Sequence, residues 1–284
     1  MASQPKVKTA DEGVRAPITN RVNAQTQTVP STASTDHQHS LGFMAACALA
    51  FIASAAATIY FCRSMCCEHE MPGGWKMSMM WMRMHGQTWL ASAASFLVMW
   101  LAMMVVMMLP SALPMFLGTR RRCGSLFCMA SGYFAIWLAA GVAVYLFGVA
   151  LAAMAMRSDF FSRAVPALSG GSLLVAGAFQ FTGWKMIGLQ RCRSSFGALT
   201  SCPDRETGFR LGCKQGAACC VCCSAPMMIL VVLGMMSPLV MIGVSVLIAA
   251  EKLLPRPEII ARVVGLPAII AAIATLAGFV RHLA

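Results

Sequence analysis

Charge is scarce in this chain. Asp, Glu, Lys and Arg make up 11% of its 284 residues, where soluble domains carry about 25%. With 58% hydrophobic residues and a mean hydropathy of +0.71, it falls outside the conventional water-soluble class and among membrane proteins. Acidic groups are the scarcer kind, 10 against 22 basic, giving a net charge of +12. In a membrane protein such an excess belongs to cytoplasmic loops, so no nucleic-acid partner is expected.

Further absences narrow the function. No GxxxxGK[ST] phosphate loop occurs, so no nucleotide is expected. No acidic residue interrupts an apolar span before Glu251, whereas proton-coupled pumps place ionisable groups near mid-membrane. Lys185 stands close enough to the inner end of its span to snorkel to the interface. The histidines are His37, His39, His69, His85 and His282; none falls at mid-span, which excludes a buried bis-histidine haem. These gaps remove energised pumps and haem cytochromes, and no catalytic residue is assigned. The 13 cysteines are scattered and partly inside apolar runs, unlike a secreted disulfide framework.

The apolar runs predict an all-α, polytopic helical membrane protein. A bilayer core of about 30 Å takes about 20 apolar helical residues, and runs of that kind occupy 41–62, 89–117, 132–155, 168–190 and 264–281. Residues 212–254 are too long for one crossing, and Met235-Met236-Ser237-Pro238 reads as a turn between two. The expectation is seven helices, or six if that stretch is one tilted span. Residues 1–40 are polar and poor in large apolar side chains, as expected of a disordered tail; residues 41–284 form the membrane domain. The first apolar run begins at Leu41 without a cleavage pattern, so it is expected to stay as an anchor. With the N-terminus cytoplasmic, the inner segments carry 15 of the 22 Lys and Arg and the outer ones 6, Lys185 lying within a span. The positive-inside rule then puts loop 63–88 outside.

Sulfur is what the chain has in excess. Residues 71–84, MPGGWKMSMMWMRM, hold six methionines in 14 positions and are followed by His85. Thioether sulfur is a neutral soft ligand suited to Cu(I). On a helix Met77, Met80 and Met84 would share one face, with His85 and His69 able to add imidazole. The same residues, with Trp75, Trp81 and Trp89, also fit an interfacial amphipathic helix that needs no metal. In the second span Met99, Met103 and Met107 form one stripe, and Trp100, Met104 and Met108 the next. Such stripes serve packing as readily as ligation. Pro110 and Pro114 should bend or end that helix.

The third group is Cys219-Cys220-Val221-Cys222-Cys223. Its overlapping CxxC pairs share helix faces and could chelate a soft metal with a ligand from another helix. Gly212 and Gly216 just before it form a GxxxG, the mark of a close helix crossing. Met103 and the cysteine group fall at similar depths if measured from opposite membrane faces, so thioethers and thiols could share a pocket if their spans touch. Cys62, Cys66 and Cys67 lie on the expected outer side, where an oxidising compartment favours disulfides.

The ordered segments MPGGWKMSMMWMRMHGQTW, MWLAMMVVMMLPS, FQFTGWK…CRSSFG and GCKQGAACCVCC…EK resemble a bacterial family of predicted metal-binding integral membrane proteins of unknown function. The resemblance covers residues 71–254. It places Trp100, Met103, Met104, Met107, Met108, Pro110 and Ser111 on the family's Met-rich span. Gln180, Lys185, Cys192 and Arg193 fall on its second motif. Gly212, Gly216, Cys219, Cys222, Cys223, Met227, Glu251 and Lys252 fall on its third. This chain departs from the pattern at Gly183-Trp184 (Pro-Leu in the family), at Gly188 (cysteine) and at Ser224 (tryptophan).

The leading expectation is a bacterial inner-membrane protein that binds a soft metal, most simply Cu(I), for delivery or translocation. Its partners would be the bilayer and a metallochaperone or metalloenzyme. A thiol–disulfide oxidoreductase using the buried CxxC pairs, and a non-catalytic assembly subunit whose sulfur only packs, remain open alternatives.

Overall fold

The computed structural model describes residues 32–64, 68–71, 75–78, 81, 88–120, 126–194, 204–235, 237–255 and 257–283. Among them are eight helices and one β-hairpin. In chain order these are α1 (Thr32–Ser64), β1 (Glu68–Met71), β2 (Trp75–Ser78), α2 (Trp89–Arg120), α3 (Leu126–Arg157) and α4 (Asp159–Phe179). There follow α5 (Gly183–Ser194), α6 (Arg205–Leu233), α7 (Pro238–Leu253) and α8 (Pro257–Leu283). Backbone contacts divide the chain into residues 1–43 and 44–284, and the larger unit holds the sulfur-rich site. The last residues of the expected polar tail, from Thr32, already belong to α1; the rest of it lies outside the described residues.

Five helices are long and apolar enough to cross a membrane: α1, α2, α3, α6 and α8. The count becomes six if α4 and α5 are taken together as one broken span. That break corrects the expectation of a single helix over 168–190. The chain bends by 64° between Phe179 and Gly183, and Thr182 supplies the reason. Its Oγ1 accepts from the backbone N of Lys185 at 3.5 Å and donates to Phe179 O at 2.7 Å. One side chain thus ends α4 and caps α5, the role a threonine fills well at a helix N-terminus. The turn expected near Met235–Pro238 is present: α6 ends at Leu233, Gly234 takes φ 112°, and Pro238 opens α7. At 16 residues, α7 is about 24 Å long, short of a full crossing.

Pro110 and Pro114 do not end α2, which runs through both. In an apolar setting the remaining backbone groups have no better partner than the helix itself.

The tightest packing joins α3 to α6. A Cβ on Gly212 would strike Met129 O, one on Gly132 would strike Phe209 O, and one on Gly216 would lie 2.8 Å from Tyr133 O. The GxxxG therefore seats α6 backbone to backbone on α3, as small residues do between membrane helices. On its other side, Ala225 and Ile229 of α6 pack with Leu173 and Ala176 of α4 and with Ala268 and Ala272 of α8.

The Met-rich loop is partly described. β1 and β2 pair antiparallel, His69 opposite Met77, so Met77 lies in a strand rather than on the expected interfacial helix. Met80, Met84, His85, Cys66 and Cys67 lie outside the described residues. The loop is pinned to the bundle by indoles. Trp75 Nε1 donates to Ser162 O at 2.9 Å, and the Trp81 ring packs 5.4 Å from Phe96.

Candidate metal centre

Three helices bring sulfur to one point. Cys219, Cys222 and Cys223 stand on one face of α6, three and four residues apart, and all are 1% exposed. The bend after α4 aims α5 back across that face. Cys192 Sγ of α5 then lies 3.4 Å from Cys222 Sγ. The sulfurs of Cys192, Cys219 and Cys222 all lie within 4.8 Å of one another. Cys223 Sγ adds contacts of 3.6 Å to Cys222 and 3.8 Å to Cys219. From α2, Met108 Sδ approaches Cys219 Sγ at 4.0 Å.

These separations suit one soft ion. Three sulfurs each about 2.3 Å from a shared ion in a plane stand about 4.0 Å apart, so shifts below 1 Å on that scale would close the cluster around it. The chamber beside the thiols has a free volume of about 10 Å³ and is lined by Ser111, Tyr133, Cys192, Gln215, Cys219 and Lys252, among others. That is about the space of one water molecule, enough for a bare ion and too little for an organic ligand.

Polar groups surround the thiols. Lys252 Nζ of α7 donates to Cys219 Sγ at 2.9 Å and to Ser111 Oγ at 3.3 Å, and stands 3.9 Å from Met108 Sδ. Tyr133 Oη of α3 shares a 3.0 Å hydrogen bond with Cys219 Sγ. Gln215 Nε2 donates to Cys192 O at 2.9 Å, holding the last turn of α5 against α6. Such outer contacts orient ligands and set how the ion is held. Beside them Lys185 Nζ and Glu251 Oε1 form an ion pair of 2.6 Å, both nearly fully buried. Lys185 therefore points into the bundle and does not snorkel: it is fully buried, and α7 presents a carboxylate.

The expected site residues are thus placed unequally. Cys219, Cys222, Cys223 and Met108 converge. Cys220 stands about 100° round the helix from Cys219, half-buried and off that face. Met99, Met103, Met104 and Met107 are at most 3% exposed and lie nearer the N-terminal end of α2. The level of the cysteines is that of Met108 and Ser111, more than one turn beyond Met103. Spacing alone did not select Cys192 or Lys252; only the family resemblance pointed to them.

The fold and the site define a predominantly helical protein, rich in helices able to cross a membrane, with a buried thiol cluster able to hold a metal ion. A family model described as "PpoB2: Copper chaperone" matches residues 97–275, and the chain belongs to that family. No curated protein and no solved structure matches it.

Proposed function

We propose that the protein is a membrane-embedded copper chaperone that carries Cu(I) on Cys192, Cys219 and Cys222, with Met108 as a neutral fourth donor. The observation that carries this is the convergence of thiols from α5 and α6 with a thioether from α2, within contact distance. A thioether favours Cu(I) over zinc, which prefers thiolate, imidazole and carboxylate. Lys252 keeps Cys219 partnered when the cargo has left, so emptying the pocket leaves no buried group stranded. In this reading the chain sits in a bacterial inner membrane with its N-terminus cytoplasmic. The Met-rich loop collects copper outside, and the methionines of α2 lead it inward. A copper-requiring protein receives it.

The test is anaerobic purification in detergent and Cu(I) titration against a moderate chelator. Wild type should hold about one equivalent per chain. Cys192→Ser, Cys219→Ser and Cys222→Ser should each lose most of it, and Cys220→Ser should retain it. Equal, near-zero copper in all five proteins overturns the proposal. Cys192 and Cys222 are also near enough for oxidation to a disulfide after a small shift. Metal-free protein isolated with that bond, and with no Cu(I) affinity after reduction, would favour the oxidoreductase instead.

A further inference from the structure

Between α5 and α6 runs an open groove of about 790 Å³. The two helices are antiparallel along it: a Cβ on Gly188 would lie 3.4 Å from Val221 Cγ1, while Gln215 reaches Cys192. Their sequences make it two-ended. One end is lined by Trp184, Ile187 and Val221, all exposed, and the other by Arg191 and Lys214 with Leu211 beside them. On each helix seven residues separate the apolar end from the basic one, about 10 Å of rise. Its middle is floored by Gly188, Ala217 and Ala218, too small to fill it. An occupant must therefore be anionic at one end and apolar beyond about 10 Å. In a chain whose neighbouring helices can cross a bilayer, that is the chemistry of an anionic phospholipid.

We propose that this groove binds one anionic phospholipid, its phosphate between Arg191 and Lys214 and its acyl chain over Gly188 against Trp184 and Val221. Arg191 and Lys214 supply two cations to one phosphodiester, and the exposed Trp184 indole at the apolar end offers a large apolar face for the acyl chain to cover. Gln215 lines both this groove and the thiol chamber, so the lipid covers the thin wall behind Cys192 and Cys222. The proposal rests on the membrane reading and not on copper.

The test uses the full chain in nanodiscs containing brominated phosphatidylglycerol or brominated phosphatidylcholine at equal mole fraction, with tryptophan emission as readout. The anionic lipid should quench more strongly. The difference should vanish in Trp184→Phe, which removes the one of the six tryptophans that lines the groove, and in Arg191→Gln/Lys214→Gln, which removes the headgroup site. Equal quenching by the two lipids in wild type overturns the proposal, as does a preference that survives the charge substitutions. If millimolar inorganic phosphate abolishes the preference, the groove is a small-anion site and the lipid assignment fails. Copper stoichiometry, measured on the same samples, reports separately on the metal reading.

Discussion

At the scale of single residues, the cluster is decided by where each sulfur falls on its helix and by what faces it. Gly188 gives the sharpest case. It stands one turn before Cys192, and a side chain there would begin 3.6 Å from the Cβ of Cys222, an ordinary contact. Gly188→Cys should therefore fit and place a further thiol against the cluster. We expect Cu(I) affinity to rise by about tenfold, or roughly 1.4 kcal/mol, measured by chelator competition under reducing conditions; unchanged affinity would show that the site is already saturated. The run Cys219–Cys223 drew attention on spacing alone, because helical periodicity puts three of its four thiols on one face. The partner thiol at Cys192 could not be selected that way. It is a lone cysteine in a short basic helix, and its meeting with Cys222 depends on a bend that no periodicity encodes.

That bend is the matter at the scale of elements. A continuous helix over 168–190 would have carried Lys185 to the interface; Thr182 ends one helix and starts another, and the redirected α5 puts Lys185 beside Glu251. The expectation of snorkelling failed because the carboxylate that holds the lysine lies 66 residues away in sequence. The pair locks α5 to α7, and α7 also carries Lys252 into the site. Removing one partner strands a buried charge, a loss of about 3–5 kcal/mol, whereas apolar replacement of both is often nearly neutral. Lys185→Met or Glu251→Met should each lower the thermal midpoint of the detergent-solubilised protein sharply, and the double variant should recover most of it. If the double variant is as unstable as the worse single one, the pair does not act as a unit. The GxxxG was legible beforehand because close approach requires only small residues at fixed spacing, and Gly212 and Gly216 do lie against α3.

Over the whole molecule, α2 is the element that connects the two sulfur-rich regions. Near its start Phe96 touches Trp81 of the Met-rich loop; near its end Met108 and Ser111 touch the thiol and lysine groups. The 15 residues from Phe96 to Ser111 span about 22 Å, and Met99, Met103, Met104 and Met107 fill that interval out of contact with solvent. Their apolar run announced a span, and their stripes were plain in the sequence. Whether the sulfurs conduct or merely pack is a question about rates, which neither pattern nor burial encodes. Substituting Met103→Leu and Met107→Leu separates the two. Leucine keeps nearly the same volume at a cost of usually less than about 1.5 kcal/mol but offers no donor to a soft ion. In proteoliposomes supplied with Cu(I) on the face bearing the Met-rich loop, the double variant should bind the same final equivalent yet load at least several-fold more slowly. The wild-type rate should return when copper is supplied from the opposite face, because Met108 and the thiols are unaltered. Equal loading rates from the loop face would reduce these methionines to packing and require copper to reach Cys192, Cys219 and Cys222 from the other side.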